Sequence, residues 1–93
     1  MGFKYNPAKT VSNLKKHKVR LSDSEGVFAD PFAIHIEDPG AIDEQRFLAV
    51  GMGSAGLALV VCYTYSGDEI RPISARRASR NERRNYESGI QFL

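Results

Sequence analysis

The sequence predicts an α+β fold, with helical segments near the N-terminus, β-runs in the middle and a short helix near the C-terminus. Three observations carry that prediction. An almost wholly apolar run at residues 57–65, the turn Ser66-Gly67-Asp68 and a second β-run at residues 69–75 make a hairpin. Asn6-Pro7 marks a helix start, because asparagine caps free backbone N–H groups and proline at the first position has no donor to lose. Ser79-Arg80-Asn81-Glu82 has the spacing of a capping box and opens a last helix that Gly89 can close.

Taken in order, residues 3–5 alternate well enough for an edge strand. The first helix runs to about Lys18 and is expected to turn Ala8, Val11 and Leu14 inward, with Lys9, Ser12, Asn13 and Lys16 outward. His17 lies at the edge of that stripe. It is either a hydrogen-bonded histidine between core and solvent or a proton carrier, since its ordinary pKa suits both forms near neutrality. Ser22-Asp23-Ser24-Glu25 matches a second capping box, and the short helix after it should carry Val27 and Phe28 inward until Asp30-Pro31 stops it. From Phe32 the pattern has period two and predicts a strand with Phe32, Ile34 and Ile36 toward the core, leaving Ala33, His35 and Glu37 outside. Residues 46–50 form the next strand. Pro72 has no N–H for a ladder, so its strand is expected at an edge or bulged.

Gly51-Met52-Gly53-Ser54-Ala55-Gly56 satisfies G-x-G-x-x-G literally. Dinucleotide binding needs those glycines to open a helix whose N-terminus holds the pyrophosphate, whereas here a β-run follows. The motif reads as a glycine-rich hairpin loop, and no cofactor is expected.

A chain of 93 residues, 42% hydrophobic and 26% charged, has the balance of one globular domain spanning residues 1–93. No apolar run approaches the roughly 18 residues of a membrane span, and no signal or lipidation pattern is present. Cys62 sits inside the apolar run and reads as a buried small hydrophobe. These features predict a soluble cytoplasmic protein with no membrane association. Two distant histidines, one cysteine and scattered carboxylates do not make a metal site.

The net charge of +2 hides a segregation. Residues 1–20 hold six basic side chains and no acid, residues 21–70 sum to −8, and residues 71–84 to +5. Two basic ends flank an acidic middle. If the ends meet in space they form a basic face suited to a polyanion, because guanidinium forks match phosphate oxygens.

Four ordered pieces of this sequence resemble a known family. They are Phe3-x-Tyr5-Asn6-Pro7-Ala8-Lys9 with Asn13-Leu14-x-Lys16-His17-x-Val19; Val27-Phe28-Ala29-Asp30-Pro31; Arg46-Phe47; and Ile73-Ser74-Ala75-Arg76-Arg77-Ala78 with Glu82-Arg83 and Tyr86. Together they are similar to the BrnT toxins of bacterial type II toxin-antitoxin pairs. Lys18 departs from the glycine usual after the histidine, and Asn6 replaces the usual aspartate.

The resemblance implies a RelE-like fold, with N-terminal helices packed on a small antiparallel β-sheet and a short C-terminal helix, and a metal-independent endoribonuclease that cleaves RNA and inhibits translation and growth. It further implies neutralisation by a BrnA-like ribbon-helix-helix antitoxin in a hetero-oligomer, which reaches operator DNA through the antitoxin. The alternative is a non-catalytic nucleic-acid or protein-binding module using the same basic face. For cleavage, Arg71, Arg76 and Arg46 are the expected phosphate and transition-state contacts, and His17 is the preferred proton carrier, with Tyr86 and Glu82 behind it. Arg77, Arg80, Arg83, Arg84, Lys9 and Lys16 are expected to hold RNA backbone.

Overall fold

The computed structural model describes residues 2–42 and 44–89. Helix α1 (Pro7–His17), a 3-10 turn (Leu21–Asp23) and helix α2 (Ser24–Ala29) come first. Strands β1 (Ile34–Glu37), β2 (Phe47–Met52), β3 (Ala58–Ser66) and β4 (Glu69–Arg77) follow, and helix α3 (Arg80–Ser88) comes after them. The sheet is antiparallel in the order β1-β2-β3-β4. Residues 3–5 do not form a strand of their own. Phe3 makes a single parallel bridge to Ile70, fixed by Lys4 N–H donating to the Ile70 carbonyl at 2.8 Å.

Helix α1 starts and stops where the sequence predicts. The Asn6 side chain accepts from the N–H groups of Ala8 and Lys9, and Lys18, at φ 60°, closes the far end by donating to Leu14. Ser12 and Lys16 are exposed as expected, but the stripe expected inside is not buried. Ala8, Val11 and Leu14 lie on the solvent side, and Asn13, expected outside, is 4% exposed. The reason is hydrogen bonding at the sheet edge. The Asn13 amide donates to the carbonyls of Val19 and Ala75 at 2.9 and 2.8 Å and accepts from the Ala75 N–H at 2.9 Å. Among the described residues no further strand lies beside β4, and its outward backbone groups at Ala75 need partners. One asparagine supplies both, which outweighs the burial of two aliphatic side chains.

The Ser22–Glu25 capping box does not form. The 3-10 turn intervenes, α2 begins at Ser24 without a side-chain cap, and the Glu25 carboxylate instead accepts from the Tyr5 hydroxyl. Val27 is buried as predicted, and Asp30 ends the helix in extended conformation before Pro31.

Register sorts the side chains, since partners across strands share a face and neighbours along a strand alternate. His35, Ala49, Val61 and Ala75 form one row, on the face covered by α1 and α2. Ile34, Val50, Val60 and Arg76 form a row on the opposite face, where α3 crosses β2. Within β1 the expected burial holds, with Ile34 buried and His35 and Glu37 exposed, although the row of His35 lies on the helix-covered side; before the strand it fails, since Phe32 is 76% exposed and Ala33 packs on the core. Alternation could not choose between the faces because apolar residues are buried on both. The His35 ring bonds the Tyr63 hydroxyl at 2.9 Å and leans on Phe28, and burial lowers its pKa.

Between β2 and β3 the glycines serve close approach. A side chain on Gly26 of α2 would stand 2.4 Å from the Ser54 backbone nitrogen, and one on Gly53 would stand 2.5 Å from Leu59. Gly56 adopts φ +83°, which a side chain would strain. The G-x-G-x-x-G pattern thus reports a tight hairpin wedged under α2.

Candidate nucleic-acid interface

Arg71 and Arg76 are five positions apart, so regular alternation along β4 would send them to opposite faces. A bulge prevents this. The ladder pairs Cys62 with Ser74 but Tyr63 with Pro72, leaving Ile73 as the extra residue beside the proline that cannot donate. The sequence-based expectation of an edge or a bulge at Pro72 is met twice, because β4 is also an edge strand. Past the bulge, Thr64 pairs with Arg71 and Val60 with Arg76, so both arginines stand on the face away from α1 and α2. Arg46 immediately precedes β2 and extends its ladder, its carbonyl accepting from Asp38 N–H at 2.8 Å. Two residues before Leu48, which pairs with Cys62, it belongs to the same face.

Three rows follow one another on this face. Arg46, Thr64 and Arg71 form the first, Leu48, Cys62 and Ser74 the second, and Val50, Val60 and Arg76 the third. Arg46 and Arg71 are two strands apart, about 10 Å between backbones, and Arg76 lies four residues along, about 13 Å. Thr64 is buried between the first two, its hydroxyl donating to the Gln45 carbonyl at 2.8 Å. Cys62 is half-buried rather than fully enclosed, and burial raises its thiol pKa although Arg46 and Lys9 act to lower it. Lys9 therefore reaches this neighbourhood electrostatically from α1.

His17, Lys9 and Lys16 share a cleft of about 490 Å³ with Asn13, Ile73 and Ser74. The cleft meets the β4 edge at Ile73 and Ser74, at a level along the strand between the rows of Arg71 and Arg76. Arg77 pairs with Leu59 and belongs to the other face. Arg80, Arg83 and Arg84 line a separate shallow depression on α3 together with Glu87, and Arg83 is 3.6 Å from the Glu87 carboxylate.

Glu82 and Tyr86 point the other way from α3 and hold it in place. Glu82 completes the Ser79 capping box, and Arg76 grips its carboxylate with two hydrogen bonds of 2.8 Å. The Arg76 bond is the chief reason its pKa falls to about 2; the Ser79 bonds add to this and burial opposes it. The Tyr86 hydroxyl donates to Asp30, which pushes its pKa up to about 12. Burial acts to raise the Asp30 pKa, but the bonds from Tyr86 and from Met52 and Phe32 N–H prevail and lower it. Asp30 was legible in the sequence only as a helix stop. Its side-chain duties, like the positions of Thr64 and Ser74 between arginines, depend on strand register that no local pattern reports.

Glu82 gives the folded state a pH dependence. Its folded pKa is depressed below the ordinary carboxylate value, so the contact stabilises above about pH 5 and is lost as pH falls toward about 2. The protection of α3 amides relative to their intrinsic exchange rate should fall over that window, and Glu82→Gln should remove most of that pH dependence. An unchanged profile in that variant would show that the ion pair contributes nothing.

Among the described residues no three His, Cys, Asp or Glu side chains gather as a metal site, and no helix is long and apolar enough to cross a membrane. No curated protein sequence matches the chain. A solved structure matches it in fold, that of the Brucella abortus ribonuclease toxin BrnT. The TM-score is 0.65 at 24% identity, covering 86% of this chain and 99% of that one. Residues 5–82 match the family model described as the ribonuclease toxin, BrnT, of type II toxin-antitoxin systems. That match spans every site described above except the last turns of α3, and with it the chain belongs to the BrnT family of ribonuclease toxins.

Proposed function

We propose that this endoribonuclease cleaves RNA without a metal ion, through the sheet face that carries Arg46, Arg71 and Arg76. The observation that supports this most is the bulge at Ile73, since without it the two β4 arginines would not share a face. Cleavage of this kind needs a base to take the proton of a ribose 2′-hydroxyl as its oxygen attacks the adjacent phosphorus. It needs cations to stabilise the crowded phosphorane, and a proton for the 5′ oxygen that leaves. Arg46 and Arg71 flank one phosphate position. His17, at the cleft beside Ser74, is the preferred proton carrier. Tyr86 and Glu82 rank behind it because each is engaged in holding α3.

Arg76 is already paired with Glu82, and a phosphate reaching it must share or displace that carboxylate. Lys9, Lys16, Arg80, Arg83, Arg84 and Arg77 would hold backbone phosphates at greater distance. Arg83→Ala should flatten the salt dependence of RNA binding by about one unit of slope without abolishing cleavage.

In this reading the chain is one toxin domain with a RelE-like fold, acting in the cytoplasm to arrest translation and growth. It is neutralised by a BrnA-like ribbon-helix-helix antitoxin, which carries the hetero-oligomer to operator DNA. Purified chain, free of antitoxin, is expected to cut a single-stranded RNA in the presence of EDTA. Retention of the RNA without cutting by well-folded protein would instead identify a binding module. Growth arrest on expression, relieved by the adjacent reading frame, tests the biological role.

A further inference from the structure

The outward side of α1 carries a feature that the fold does not use. Pro7, Val11, Leu14 and Lys18 recur at helical spacing on the solvent side of the helix, and Val11 and Leu14 are 55% and 47% exposed. Leu57, 42% exposed, extends the apolar track past the end of the helix, where Leu14, Lys18, Arg20 and Leu57 line a common groove. At the other end Pro7, Val11 and Lys15 line a shallow trough that continues it. The helix is held by Asn13 and by its own caps, and about half of the Val11, Leu14 and Leu57 surface stays open to solvent. Lys15, Lys18 and Arg20 rim the track against Asp23 at its Leu57 end, and the first 20 residues contain no acid.

We infer that this face docks the antitoxin, through an amphipathic helix whose apolar stripe lies on Val11, Leu14 and Leu57 and whose acidic flank meets Lys15, Lys18 and Arg20. The inference rests on the family reading that such a partner exists. A straight track of two helical turns, about 11 Å from Pro7 to Leu14, suits the i, i+3, i+7 anchors of a helix. The basic rim selects a partner of opposite charge. RNA is the poorer occupant, because a phosphate chain gains nothing from aliphatic side chains. Of the α1 groups that line the β4 cleft, Lys9 and His17 lie off this track, while Lys16 borders both the cleft and the trough. A second copy of the chain would lay one lysine rim against another across a twofold axis.

The test titrates the purified chain with the purified product of the adjacent reading frame. Val11→Glu keeps a good helix former at an exposed site and is expected to weaken antitoxin binding about 100-fold, the loss that marks a central anchor. Its RNA cleavage and thermal midpoint should match those of the parent. Lys15→Glu should weaken binding less and reduce its salt dependence. Undiminished affinity in Val11→Glu, or no binding by the parent chain, overturns the inference. So does a parent chain that sediments as a dimer or partitions onto anionic vesicles through Val11, which would assign the face to a second copy or to a lipid surface. Binding is read without RNA, so failure of the chain to cut RNA leaves this result separate.

Discussion

Replacing Arg71 by alanine is expected to slow RNA cleavage by about 100- to 1,000-fold, the usual cost of removing one preorganised charge from a developing oxyanion. The thermal midpoint should hardly move. Arg71 stands half-exposed on β4, paired by register with Thr64, with no carboxylate in contact among the described residues, so its charge is free for a phosphate. Single-turnover cleavage at saturating enzyme, with calorimetry alongside, separates the two effects. Wild-type cleavage in the variant would remove this face from the chemistry. Arg76→Ala makes an instructive contrast. It also releases Glu82 from its two 2.8 Å bonds, so loss of cleavage should come with a looser α3. Arg71→Ala therefore gives the cleaner reading of the site.

Asn13→Ala should cost the fold about 3 kcal/mol, near the upper end for loss of a buried hydrogen-bonding group. Three bonds disappear, and the N–H of Ala75 and the carbonyls of Ala75 and Val19 are left without that partner beneath α1. The penalty comes mainly from those stranded backbone groups rather than from lost side-chain contact. Asn13→Asp should cost a comparable amount, since it retains the acceptor for Ala75 N–H but removes both donors. Urea denaturation measures the difference directly. If Asn13→Leu proved as stable as the parent, the edge would be satisfied some other way. Because α1 also carries His17 and Lys9 in the cleft against β4, an asparagine variant that still folds should lose cleavage as the cleft loosens.

Much of the chain could be read from its letters because the signals are local. Asn6-Pro7, Asp30-Pro31, Ser79 with Glu82, and Gly89 act through backbone donors and dihedral limits within a few residues. The structure has α1 and α3 starting and stopping there. The turn at Gly67, with φ +59°, and the two long β-runs are of the same kind. The Ser22–Glu25 box was misleading for the converse reason. Its residue types are right, but the Tyr5 hydroxyl competes for Glu25 from 20 positions away.

What the sequence determined alone is the succession of elements, the edge or bulge forced by Pro72, and the segregation of charge. The tertiary structure decided which side each element shows. A polar residue took the buried place on α1 because an edge strand needed bonding partners. The bulge at Ile73 reversed the parity of β4, so that Arg71 joined Arg76 and Arg46 on one face. Periodicity states that two faces exist, but the choice between them is made by hydrogen bonds and register to residues far away in the chain.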